Sequence, residues 1–307
     1  MNESDPAAPL PVKRHSWLRR ITRVVLAIIL GTTLVWWILL YLFQTRMIFP
    51  AYMAPRPPIG QPPRGTEVLE LATAAGKVEA WFTPPPRSRG ERTAPLAVIF
   101  HGNAEIIDQQ EDMTVFFGSL GFAVLVPEYP GYGRSAGSTS QTSIRDFCSE
   151  FLKRAVEHPD VDPSRVLFFG RSIGGAVAID LAGVCEARQL PKPVALITIS
   201  TVYNIQRMAN HYLAPGLLVK NPYRNDLVLP TLNIPILMFH GTQDNIIPIE
   251  DGRKLHALVP GARWIEFNCS HNDFPGPGNE SRFEREIIRF LRDAKLTVPD
   301  KQRHNSR

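Results

Sequence analysis

Hydrophobic residues in this chain of 307 residues fall into one long uncharged run near the start and a series of short runs after it. Residues 24–43 read VVLAIILGTTLVWWILLYLF, without a single charge. At about 1.5 Å per residue, a helix of that length crosses about 30 Å, the thickness of a bilayer's hydrocarbon core. A transmembrane helix is therefore expected over 24–43. A cleaved signal peptide fits less well, because the run exceeds a usual apolar signal core and no small-x-small cleavage pattern follows it. A buried core helix would carry a polar stripe, whereas Gly31, Thr32 and Thr33 are the only weak interruptions here.

Downstream the pattern changes. Residues 66–71 and 77–82 alternate apolar with polar, the period of half-exposed strands, and Ala74, Ala75 and Gly76 supply a turn between them. Short and nearly continuous apolar runs then occupy 96–100, 122–126, 165–169, 194–199, 236–239 and 264–267. Such runs suit parallel strands covered on both faces. Helix-like stretches at 142–157, 173–187, 250–258 and 281–295 separate them, the last with Phe283, Ile287, Phe290 and Leu291 at helical spacing. Alternation of this kind predicts a mostly parallel sheet with helices on both faces. Between the long apolar run and the first strand, Pro50, Pro55, Pro57, Pro58, Pro62 and Pro63 favour an extended path. The expected organisation is a basic N-terminus (1–23), a membrane helix (24–43), a semi-rigid Pro-rich stalk (44–65), an α/β domain (66–295) and a polar tail (296–307).

Charge sharpens this picture. The net charge of +5 comes from the ends: Lys13, Arg14, Arg19, Arg20 and Arg23 against Glu3 and Asp5, and Lys301, Arg303 and Arg307 against Asp300. The remaining body is formally neutral, which argues against a nucleic-acid partner. The basic cluster before the apolar run, with only Arg46 soon after it, places the N-terminus in the cytoplasm by the positive-inside rule. The domain is then expected on the periplasmic, luminal or extracellular side. Cys148, Cys185 and Cys269 form neither a disulfide framework nor a C-x-x-C metal site. Cys269, two residues before His271, reads as a wall residue.

The chemistry gathers at the carboxyl ends of the expected strands, where ligands bind in sheets of this kind. Gly170-Arg171-Ser172-Ile173-Gly174 follows the 165–169 run and opens a helix, the strand–turn–helix setting of a nucleophile elbow, with Ser172 as candidate nucleophile. His271, after the last strand, is the candidate base, because a serine hydroxyl needs an imidazole to take its proton. Asp244, just past the 236–239 run, is the candidate orienting acid, with Glu250, Asp251 and Asp273 as fallbacks. The loop at His101-Gly102-Asn103 offers the Asn103 N–H which, with that of Ile173, would form an oxyanion hole. His101 itself is expected to hold that loop. The dinucleotide fingerprint, the Walker lysine and H-E-x-x-H are missing, so no cofactor or metal is implied.

With these residues in the order Ser, Asp, His, the chain resembles the α/β-hydrolase superfamily, and within it the lysophospholipase-like abhydrolase-domain serine hydrolases. The resemblance rests on HGN at 101–103, GxSxGG at 170–175, HGxxD at 240–244, SHND at 270–273 and the loop 128–135. It implies the α/β-hydrolase fold over about residues 68–291 and hydrolysis of carboxylic esters through an acyl-enzyme on Ser172. Small-molecule or lipid esters and thioesters are the candidate substrates. An aminopeptidase-like amide hydrolase is the nearest alternative, and a catalytically silent membrane scaffold a more distant one. Glu105 departs from the resemblance, since relatives often carry glycine there, and is expected to narrow the pocket or add charge. The segment 200–235 is too short for a large cap, although its apolar stretch 212–219 is a candidate for acyl-chain or membrane contact.

Overall fold

The computed structural model describes residues 14–55, 60–86 and 93–296. The chain divides into two units, Met1–Gln44 and Thr45–Arg307.

The first unit is most of helix α1 (Arg14–Ile48). Its stretch Trp17–Ile48 is long and apolar enough to cross a membrane. Leu26, Ile28, Ile29, Leu30, Leu34 and Val35 are all exposed. Thr32 turns its hydroxyl back onto the Ile28 carbonyl at 2.9 Å, so the polar interruption in the apolar run is satisfied within the helix. The helix outruns 24–43 at both ends, because neither 14–23 nor 44–48 contains a residue that breaks one. Pro50 stops it by disfavouring helical geometry at the residue before it.

The expected stalk differs in structure from its extended reading. Residues 44–48 finish α1, and Phe49 is buried, edge-on to Tyr223 at 6.2 Å. Ala51–Met53 form a 3-10 turn, with Ala51 and Ala54 against the same core. An apolar residue between Met47–Ile48 and a proline turn buries itself where a hydrophobic surface is within reach, and the entropy of a free stalk is not retained. Pro57 and Pro58 lie outside the described residues.

The second unit is built on an eight-stranded sheet in the order β1-β2-β4-β3-β5-β6-β7-β8. Its strands are β1 (Glu67–Thr73), β2 (Gly76–Thr83), β3 (Ala94–Phe100), β4 (Ala123–Pro127), β5 (Val161–Arg171), β6 (Ala195–Ile199), β7 (Ile236–Gly241) and β8 (Arg263–Phe267). β1 and β2 form the antiparallel hairpin that the 66–82 alternation predicts, with Leu71 facing Val78, and β2 runs antiparallel to β4. All other pairs are parallel. Seven further helices surround the sheet: α2 (Glu111–Ser119), α3 (Gln141–Val156), α4 (Ile173–Val184), α5 (Ile205–Met208), α6 (Asn225–Val228), α7 (Ile249–Ala257) and α8 (Glu280–Asp293).

Strand periodicity sorts the core into two layers. Leu96, Val98 and Phe100 of β3 join Ile144 and Phe151 of α3, Val177 and Leu181 of α4 and Leu255 of α7. Ala97 and Ile99, pointing the other way, join Phe117 of α2 and Phe283, Ile287, Phe290 and Leu291 of α8. α3 is capped by Ser140, whose hydroxyl accepts from Ser143 N at 3.0 Å. Arg145 then grips Asp180 of α4 through two 2.7 Å bonds. Helix α2 is absent from the sequence-based expectation; its apolar residues Met113, Phe116 and Phe117 span little more than a turn, too short a repeat to stand out.

Candidate active site

β5 ends at Arg171 and α4 begins at Ile173, which leaves Ser172 alone on the turn with φ 55° and ψ −120°. That is a strained backbone for a residue with a Cβ, and it persists because its surroundings fix it. Ser172 N donates to Ile199 O at 2.7 Å, tying the turn to β6. The flanking glycines are needed for space: a Cβ on Gly170 would sit 2.3 Å from Gly174 O, and one on Gly174 would sit 2.0 Å from Phe100 O. Ser172 is buried.

The same crowding at Gly174 brings the end of β3 against the start of α4, since a Gly174 Cβ would also meet His101 O at 2.5 Å. His101, the first residue of the 101–103 loop, therefore abuts Gly174 in the first turn of α4. As the first helical residue, Ile173 has an N–H without an intrahelical acceptor. The Asn103 side chain fixes its own loop: Nδ2 donates to Ile48 O at 2.7 Å, and Oδ1 accepts from Tyr132 OH at 3.1 Å. Burial pushes the Tyr132 hydroxyl above its ordinary pKa, so it remains a donor.

On the far side, β7 delivers Asp244 and the loop after β8 delivers His271, whose Nδ1 donates to Asp244 Oδ2 at 2.7 Å. The other carboxylate oxygen accepts from Ile246 N at 3.0 Å and Ile247 N at 2.7 Å. Burial alone would raise the Asp244 pKa. The bonds from His271 and Ile247 outweigh it and hold the carboxyl below its usual range. With Nδ1 committed as a donor, neutral His271 presents Nε2 as an acceptor. Among the described residues the Ser172 hydroxyl has no hydrogen-bond partner within the protein; such contacts often shorten only when substrate is bound.

The fallback acids lie elsewhere. Asp273 accepts from Ser270 N at 2.6 Å, and Glu250 and Asp251 stand in the first turn of α7. His101 is sealed in the core, with Nε2 2.8 Å from Glu128 Oε1 but off the line of a well-formed hydrogen bond, and Nδ1 3.0 Å from Gly102 O. Burial pushes the Cys269 thiol up to about 11, which keeps it neutral. Among the described residues no group of three His, Cys, Asp or Glu side chains is placed to hold a metal ion.

Two residues outside the expected constellation take part in its geometry. Arg171 pairs with Glu105 and donates from NH2 to His271 O at 2.7 Å. Glu105 Oε2 in turn accepts from Gly102 N at 2.8 Å. Sequence alone offered one signal, the unexpected carboxylate at 105, and no sign of its partner.

Comparison with known proteins adds to this geometry. A family model described as serine aminopeptidase, S33, matches residues 92–224, which include the 101–103 loop and Ser172 but end before Asp244 and His271. Among curated proteins, the chain is 27% identical over 227 residues to the uncharacterized protein YfhR of Escherichia coli K12, covering 70% of this chain and 79% of that one. It is 28% identical over 197 residues to protein bem46 of Schizosaccharomyces pombe, covering 61% and 64%. Among solved structures, esterase 2 of Thermogutta terrifontis, phosphoramylated by tabun, superposes with a TM-score of 0.63 at 18% identity, over 80% of this chain and 100% of that one. The same esterase is also known phosphorylated by paraoxon, with a TM-score of 0.62, 18% identity and coverage of 80% and 99%.

Proposed function

We propose that this chain, which has the α/β-hydrolase fold and matches the S33 family model over residues 92–224, is a serine hydrolase cleaving carboxylic esters through an acyl-enzyme on Ser172. The observation that carries the reading is the meeting at one end of the sheet of a strained serine turn, an Asp244–His271 pair at 2.7 Å and a loop whose His101 carbonyl packs against Gly174 in the first turn of α4. Ser172 Oγ attacks the ester carbonyl while His271 Nε2 takes its proton, and Asp244 holds the imidazole in the required tautomer and stabilises the imidazolium. The N–H groups of Asn103 and Ile173 receive the oxyanion, a kind of contact whose loss commonly slows reaction about 100-fold or more. Collapse of the intermediate breaks the ester C–O bond, and the alcohol leaves with the proton from His271. Water, deprotonated by the same imidazole, then attacks the acyl carbonyl and restores the Ser172 hydroxyl.

In this reading α1 is a membrane anchor, with the basic residues before 24–43 on the cytoplasmic side and the hydrolase domain, residues 66–295, across the membrane. Anchorage makes lipid esters and thioesters the favoured substrate class, since such substrates concentrate at a bilayer. A reporter fused after Arg307 should read out on the non-cytoplasmic side; a cytoplasmic signal would contradict the orientation.

The S33 family match favours one further reading, release of N-terminal amino acids from peptides, which the same nucleophile and base would serve. A panel of p-nitrophenyl esters of graded acyl length, acyl thioesters and aminoacyl p-nitroanilides separates the two. Ester turnover that is abolished in Ser172→Ala supports the leading reading. Turnover of anilides alone would replace it.

A further inference from the structure

Arg171, the residue before the candidate nucleophile, has an unusual set of partners. One arm of its guanidinium pairs with Glu105, and the other donates to the backbone oxygen of His271 at 2.7 Å. The Glu105 carboxylate lies back over its own loop, accepting from Gly102 N at 2.8 Å and from Gln110 Nε2 at 3.2 Å. Gly102 makes room for it, since a Cβ there would stand 3.1 Å from Glu105 Oε1. One guanidinium–carboxylate pair thus joins the nucleophile elbow, the oxyanion loop and the histidine loop, three segments far apart in sequence.

We propose that Arg171 and Glu105 are positioning residues that set the oxyanion loop and the His271 loop against Ser172 for acylation, with Arg171 also neutralising the Glu105 carboxylate beside the developing oxyanion. The inference rests on the reading of Ser172 as nucleophile. An ordinary surface ion pair contributes little, because solvent screens it. This one is largely buried at both side chains, and its hydrogen bonds end on backbone atoms of the loops that carry the chemistry. Glu105 also takes up the Gly102 N–H, which leaves the N–H of the next residue, Asn103, uncommitted to this carboxylate. The arrangement has an electrostatic cost if halved. Without Arg171, an uncompensated carboxylate would oppose the negative charge that forms in the transition state.

That asymmetry gives a test which a merely structural role would not pass. The rate of phosphonylation of Ser172 by a fluorophosphonate is measured for wild type, Arg171→Met, Arg171→Lys, Glu105→Gln and the Arg171→Met/Glu105→Gln double variant, with circular dichroism to confirm folding. Arg171→Met is expected to react about 30-fold more slowly and Glu105→Gln less than about 10-fold more slowly. Arg171→Lys should fall between wild type and Arg171→Met, because it keeps the charge and loses the fork. The double variant should react at least about 3-fold faster than Arg171→Met, since removing the stranded charge relieves the repulsion. Wild-type rates in Arg171→Met and Arg171→Lys would overturn the proposal and leave the nucleophile reading intact. If Arg171→Met fails to fold, Arg171→Lys and Glu105→Gln still decide: wild-type rates in both would overturn it. A double variant no faster than a folded Arg171→Met would overturn the electrostatic part. A folded wild type that does not react at all would remove the nucleophile reading and this proposal with it.

Discussion

Among the described residues, two histidine–carboxylate pairs closer than 3 Å stand at the carboxyl end of this sheet, and their difference separates a structural histidine from a candidate chemical one. His101 and Glu128 both have fully buried side chains. Both His101 nitrogens face acceptors, the Glu128 carboxylate and the Gly102 carbonyl, and its ring stacks on Tyr129 at 3.9 Å. Burial alone would lower the His101 pKa, but Glu128 and the Gly102 carbonyl raise it above its ordinary value. Both ring nitrogens are thus turned toward acceptors, and neither is left to take a proton from a substrate. His271 has spent only Nδ1, on Asp244. The same two functional groups sit in the candidate oxyanion loop in one place and form a candidate base in the other, according to whether the second nitrogen faces an acceptor.

The largest predicted effect falls on the second pair. His271→Gln should lower kcat/KM for a p-nitrophenyl ester by about 10,000-fold with little change in melting temperature. Retention of activity within about 10-fold would mean that another group accepts the proton. Asp244→Asn should lower it about 1,000-fold, because the imidazole loses its fixed tautomer. If that variant melts far below wild type while its folded fraction stays active, Asp244 is a structural residue.

The first pair should answer in stability. Glu128→Gln leaves the buried His101 without its counter-charge and should cost about 3 kcal/mol in chemical denaturation, with activity of the folded protein kept within about 10-fold. Loss of activity without loss of stability would erase the distinction between the pairs. A smaller effect is set by pH. The raised pKa of His101 stabilises the fold fully below the ordinary imidazole value and is lost as pH rises through the folded value. Between about pH 6.5 and 8, below the range where buried thiols matter, the melting temperature of wild type should fall, and that of Glu128→Gln should stay flatter. Identical slopes would contradict a His101 pKa raised by Glu128. The smallest effect is expected at Asn103→Ala, which loses the bonds to Ile48 O and Tyr132 OH and should slow turnover about 5-fold while the backbone N–H remains.

What the sequence makes legible follows from how local each signal is. The turn at Ser172 announces itself through Gly170, Gly174 and the apolar run before it, all within a few residues. Asp244 and His271 read out because each follows an apolar strand. α2 and the ends of α1 were less legible, the first because its pattern is short, the second because a helix continues through polar residues until proline stops it. The contacts that organise the site are not local at all. Arg171 and Glu105 lie 66 residues apart, and Asn103 and Ile48 lie 55 apart. Neither pair leaves a periodic trace. The burial of Phe49 leaves no local trace for the same reason, since the Tyr223 ring that receives it is remote in the chain.

The central claim is that Ser172 is an activated nucleophile. Its most direct test is to treat the folded, full-length protein with a fluorophosphonate and map the adduct by peptide mass spectrometry, alongside Ser172→Ala and His271→Gln. The account predicts a single phosphonyl adduct on Ser172, abolished in the first variant and slowed by orders of magnitude in the second. A folded wild type that stays unmodified, or an adduct on another residue, would contradict it.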